Sequence, residues 1–200
     1  MTKNKDWFGV DSGGPGILPW REVKNRLSGR TDKELISLLG ECYRLSADNR
    51  VRLSLAVSDG HAETGKVIEN LQTQLRNAFW ATGRGGRPRE PDLKRARHVI
   101  SLAKKSTDDQ QAILDLMFDY VSHAVGFTAE YGEMWDSYYS SIDGMFEKVC
   151  KHIVKHRSKI DIENAFERID ECIEMCGRFG YGVQDNMEYL KDELEGELGR

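Results

Sequence analysis

Nowhere in this chain do apolar and polar residues alternate for the length of a strand; where apolar residues recur, they do so at steps of three and four. A period near 3.6 gathers side chains along one stripe of a helix, so the chain is constrained to helices that bury stripes against one another. Thr31-Asp-Lys-Glu34 has the form of a capping box, and Leu35, Leu38, Leu39, Cys42 and Tyr43 follow as one apolar stripe. Ser46 is placed to cap a short helix carrying Val51, Leu53, Leu55 and Val57. A longer helix over about 61–80 turns Val67, Ile68, Leu71, Leu75 and Phe79 inward. Residues 81–91, with three glycines and two prolines, read as a loop. Pro91 then suits the first turn of a helix reaching about Lys105. Thr107 and Gln110 suggest another helix start, with Ile113, Leu116, Met117, Tyr120, Val121 and Ala124 as core. Gly126 and Gly132 bracket an expected break, and helices over about 134–157, 161–176 and 181–198 complete the chain. The reading is all-α: an antiparallel multi-helix bundle, or a short HEAT-like array, of eight or nine helices.

Residues 1–18, rich in glycine, read as a flexible arm, and 19–200 as a single helical domain. Charged residues make up 31% of the chain and no apolar run approaches the ~20 residues a membrane span requires, which excludes a spanning helix. No apolar segment follows Lys3 and Lys5, as a secretory signal would demand. Cys42, Cys150, Cys172 and Cys176 are too scattered for a disulfide framework. The expectation is a cytoplasmic protein.

Four segments carry a resemblance: LSGRTDKELISLLGECYRLSADNR, LKRARHVISLAKK, DLMFDYVSHAVGFTAEYGEMWDSYYSS and GYGVQDNMEYL. Together, over about residues 27–195, they resemble a bacterial family of uncharacterised all-helical proteins. The matching positions include Leu35, Tyr43, Ser46, Asn49, Arg97, Asp115, Tyr120, Phe127, Tyr131 and Gly182. Val51 stands where that family usually has an aromatic residue. The resemblance implies a helical fold in a bacterial cytoplasm and no particular activity.

Several constellations bear on chemistry. VDSGGPG at 10–16 is similar to the nucleophile segment of trypsin-like proteases, but nine residues precede it, none a histidine, and the triad needs β-barrels to hold it. His152/His156 and Cys172/Cys176 are pairs of soft ligands at helical spacing. A turn near residue 160 would leave them about 12 Å out of register, so no zinc site is expected. Asp115, Asp119 and His123 recur at steps of four, the two aspartates opposite the core stripe and His123 on its border, which predicts a solvated face. There is no P-loop, no dinucleotide fingerprint and no His-Glu-x-x-His, so no catalytic residue, metal or cofactor is assigned.

Two surfaces remain as binding candidates. Glu130 and Glu133 sit among Tyr131, Trp135, Tyr138 and Tyr139, an acidic and aromatic group suited to a protein partner or self-association. The other is cationic: residues 84–106 carry eight basic against two acidic residues. Arg84, Arg87 and Arg89 lie in a GRGGRPR loop similar, with one glycine inserted, to minor-groove hooks, and Lys94, Arg97 and Lys105 share one face of the next helix. Residues 107–147 carry nine acidic and no basic residues, then 148–159 carry five basic and no acidic ones. The simplest expectation is that the basic helix packs on the acidic segment and is neutralised there. The function expected is a non-catalytic protein-interaction module, and the alternative is a nucleic-acid-binding accessory protein using 84–105.

Overall fold

The computed structural model describes residues 16–177 and 182–200. These residues form nine α-helices and no strand, the one β-type pairing being an isolated bridge between Thr82 and Pro88. The all-α class read from the periodicity is the class observed. The chain divides into two compact units, Met1–Arg50 and Val51–Arg200. Residues 1–15 of the expected arm, with most of VDSGGPG, lie outside the described residues, as does the expected start of the last helix at 181.

The first unit contains α1 (Trp20–Leu27), which the sequence reading did not single out, and α2 (Asp32–Leu45). α2 opens on the predicted capping box: the Glu34 carboxylate accepts from the Thr31 amide at 2.9 Å, and the Glu34 amide donates to Thr31 Oγ1 at 3.4 Å. Those bonds, joined by Arg30, hold the Glu34 carboxyl down at about 2. α3 (Ala47–Val57) starts where predicted, with the Asn49 amide on Ser46 Oγ at 3.1 Å, and runs across the division between the units.

The second unit is built around one helix. α6 (Gln110–Tyr131) packs against α4 (His61–Phe79), α5 (Leu93–Ser106), α7 (Asp136–His156) and α8 (Ile162–Cys176), while α9 (Val183–Leu198) lies on α7 and α8. The reason is in its composition. Leu114, Phe118 and Val125 extend the apolar surface beyond the stripe of Ile113, Leu116, Met117, Tyr120 and Val121, and all eight are buried. A helix apolar over most of its circumference has to be covered on most sides. At roughly 1.5–3 kcal/mol for each large apolar side chain removed from water, α6 is the main source of the unit's cohesion.

The boundaries shift where a better cap exists. α6 is capped by Asp109, whose carboxylate accepts from the Ala112 amide at 3.0 Å, and Thr107 instead closes α5. α5 is capped by Asp92, which accepts from the Arg95 amide at 2.9 Å, leaving Pro91 outside the helix. The break expected from Gly126 does not occur. α6 runs through it because Trp80 and Met175 pack directly against that glycine, and it ends at Gly132, whose φ of 88° leaves the helical region.

Candidate functional site

The Asp115–Asp119–His123 stripe, expected to be solvated, is covered. α8 lies across it, and Arg168 donates to Asp115 Oδ1 at 3.2 Å and to Asp119 Oδ1 at 2.8 Å. Gln111 Nε2 adds a bond to Asp115 at 3.0 Å, and Gln72 Nε2 one to Asp119 at 3.1 Å. The guanidinium also rests 4.7 Å from the Phe118 ring centroid. Burial raises the Asp115 carboxyl despite the opposing bonds from Gln111 and Arg168. His123 accepts at Nδ1 from the Trp80 indole at 3.2 Å, so its neutral tautomer carries the proton on Nε2, and burial lowers its pKa. Every member of the stripe is occupied in joining α6 to α4 or α8 or to the residue after α4. Nothing in the sequence signalled Arg168, which meets its partners across some fifty residues.

The aromatic and acidic group divides in two. Tyr138 and Tyr139 are core residues, not surface ones: the Tyr138 hydroxyl donates to the Ala124 carbonyl at 2.9 Å, and the Tyr139 hydroxyl accepts from the Met134 amide at 3.0 Å. As the third and fourth residues of α7 they face α6, and a buried phenol needs the partner each has found. Tyr131, Trp135, Glu130 and Glu133 are exposed, with Tyr131 stacked on Phe127 and Trp80.

The basic loop is tied down, unlike a free arm. Gly83 N–H donates to the Arg87 carbonyl at 2.8 Å and Arg89 N–H to the Ala81 carbonyl at 2.9 Å, around a single 3₁₀ turn at Arg84–Gly86. Arg87 and Arg89 are exposed there, as are Lys94, Arg97 and Lys105 on α5. The expected neutralisation of α5 by the acidic segment does not take place. Arg97 reaches a hydroxyl, Ser141 Oγ at 2.9 Å, which in turn meets the Tyr120 hydroxyl at 2.7 Å. Lys104 faces Lys148 and Lys155 of α7, so basic meets basic. The acids that were to receive α5 serve elsewhere: Asp109 caps α6, and Asp115 and Asp119 hold Arg168.

The apolar stripe predicted on α2 is open. α2 contains no buried residue. Ile36 is 68% exposed, Leu39 51% and Leu45 77%, with Leu38 and Tyr43 also exposed.

No family model, curated protein or solved structure matches this chain.

The histidine and cysteine pairs do not combine. His152 and His156 stack with ring centroids 4.5 Å apart, and His152 Nε2 lies 3.0 Å from the Gln110 carbonyl. Cys172 and Cys176 are buried elsewhere, against Ser122 at 3.7 Å and Met187 at 3.6 Å respectively. Burial pushes the Cys176 thiol up to about 12, which keeps it protonated. Among the described residues, no three His, Cys, Asp or Glu side chains gather to hold a metal ion, and no helix is long and apolar enough to cross a membrane.

Proposed function

We propose that this chain is a non-catalytic helical interaction module that docks α2 into an apolar groove of a partner protein. The observation that carries the reading is the uncovered apolar face of α2. At 100° per residue, Leu35, Ile36, Leu38, Leu39, Cys42, Tyr43 and Leu45 span about half the helix circumference. Contiguous apolar surface of that kind marks interaction sites. Its width favours a groove that wraps the helix over pairing with a second copy, which would use a narrower seam. The non-catalytic part is supported by the state of the acidic stripe on α6, whose carboxylates and histidine are all held by structural partners. The resemblance to a family of bacterial helical proteins is compatible with such a role and names no chemistry.

The test is site-specific photo-crosslinking in cells, with the crosslinker at Ile36 on the apolar face or at Lys33 on the polar one. A single adduct partner from Ile36, absent from Lys33 and lost in Leu38→Glu/Leu39→Glu, supports the proposal. The same double variant should melt within about 2 °C of wild type, since these side chains are not buried. A fall of many degrees would make the stripe internal packing, and equal adducts from both faces would dismiss a docking face.

A further inference from the structure

We propose that the cleft between the C-terminal end of α5 and the C-terminal half of α7 binds a small polyphosphorylated molecule, one carrying three or more clustered phosphate groups. This goes beyond the docking role of α2 and uses none of its residues.

The cleft is a cavity of about 380 Å³ whose walls carry Lys104, Lys148, Lys151, Lys155, His152 and His156. That volume lies within the range of small-ligand sites. α7 supplies its five groups at positions 148, 151, 152, 155 and 156, one helical face, and α5 supplies Lys104 opposite them. No carboxylate lines the cavity. Glu147 engages Lys151, but Lys104, Lys148 and Lys155 make no ion pair with any described carboxylate. Solvent shielding, then the charges of Lys148 and Lys155, lower the pKa of Lys104. An assembly of like charges with nothing between them opposes folding, because each pair repels in a medium less polarisable than water. The fold nonetheless brings together its two most basic segments while the intervening acidic one is used elsewhere. An anion seated in the cleft would offset these repulsions with an attraction to each ammonium group.

The chemistry of that anion follows from the lining. Lysines act as point charges on phosphate oxygens, without the planar bidentate match that arginine gives a carboxylate. Three uncommitted ammonium groups exceed what one monophosphate needs. A nucleic-acid strand spaces its charges along an extended backbone and would leave most of a compact cluster unmet. Lys148 also borders a second hollow of about 270 Å³, lined by Arg97, Ser140, Ser141 and Gly144. Its hydroxyls and one guanidinium suit the polar, hydroxylated body of such a ligand. A nucleoside triphosphate and an inositol polyphosphate share this chemistry.

The experiment is calorimetric titration of the full chain with inorganic tripolyphosphate in low salt. Orthophosphate, inositol hexakisphosphate, ATP and a 20-nucleotide single strand serve as parallel probes. Tripolyphosphate should bind at least a hundredfold more tightly than orthophosphate, and ATP against inositol hexakisphosphate then separates the two sources. Lys104→Gln and Lys155→Gln should each weaken tripolyphosphate at least tenfold, and Lys94→Gln on the same helix less than twofold. Without ligand, Lys104→Gln should melt no lower than wild type, because it relieves repulsion; this keeps lost binding distinct from lost folding. Tripolyphosphate binding no better than orthophosphate would overturn the proposal. So would equal effects of Lys94→Gln and Lys104→Gln, or a single strand that binds more tightly than tripolyphosphate and inositol hexakisphosphate.

Discussion

Replacing Arg168 by Met should lower the stability of the Val51–Arg200 unit by about 2–3 kcal/mol, in a manner that depends on pH. The change keeps most of the aliphatic stem and removes the one group that bonds both Asp115 and Asp119. A fully buried ion pair broken on one side costs 3–5 kcal/mol, an exposed one 0–1. Here the side chains are 22% exposed for Arg168, 34% for Asp115 and 22% for Asp119, so about 2 kcal/mol is appropriate after allowing for solvent screening. Loss of the guanidinium from the Phe118 face adds roughly 0.5–1 kcal/mol. At about 2 cal/mol/K per residue over the unit, unfolding carries an entropy of roughly 0.3 kcal/mol/K, so the melting temperature should fall by about 6–10 °C. The sign with pH follows from Asp115. Burial already raises the Asp115 carboxyl, and without Arg168 it rises further above the unfolded value, so the folded variant binds more protons than wild type as pH falls. The deficit should therefore be largest above pH 7 and shrink toward about pH 5. Urea unfolding followed by circular dichroism at pH 8, 6.5 and 5 measures it. A deficit below about 0.5 kcal/mol, or one that stays flat across that range, would refute the structural role assigned to this cluster.

Burial pushes His152 down to about 4, so between that pH and its ordinary 6.5 the unfolded chain takes up a proton that the folded chain refuses. Stability should fall as pH drops through this window, by about 2 kcal/mol at pH 5, and His152→Gln should remove that part of the slope; an unchanged slope in the variant would assign the loss to other groups. At Gly126 an added Cβ would lie 3.5 Å from both Met175 Cε and Trp80 Cζ2, an ordinary contact. Gly126→Ala should therefore raise stability by roughly 0.5–1 kcal/mol through helix propensity, while Gly126→Leu should lower it by about 1–3 kcal/mol through overpacking, and thermal melts that rank the two the other way would contradict the packing described.

Helical periodicity reports that a face is apolar; it does not report what covers it. For α6 the stripe chosen in sequence was correct but too narrow. Leu114, Phe118 and Val125 already stood outside it, and counting them would have shown a helix with little solvated surface left for Asp115 and Asp119. For α2 the same kind of stripe, read the same way, is exposed, because its period is indifferent to whether the partner is internal or external. The local signals fared differently. The capping box at Thr31 and the cap at Ser46 were legible because each joins residues three apart, whereas Arg168 with Asp115, or Lys104 with Lys155, depends on how helices stack. Charge segregation along the chain suggested that opposites would meet. That inference fails wherever acids have nearer work: Asp109 caps a helix start, Asp115 and Asp119 hold a half-buried arginine, and the basic segments are left facing each other. Charge blocks in a sequence of this kind thus identify which segments need a partner. When the fold leaves a block unpaired, as at Lys104, Lys148 and Lys155, the missing counter-charge is to be sought outside the chain.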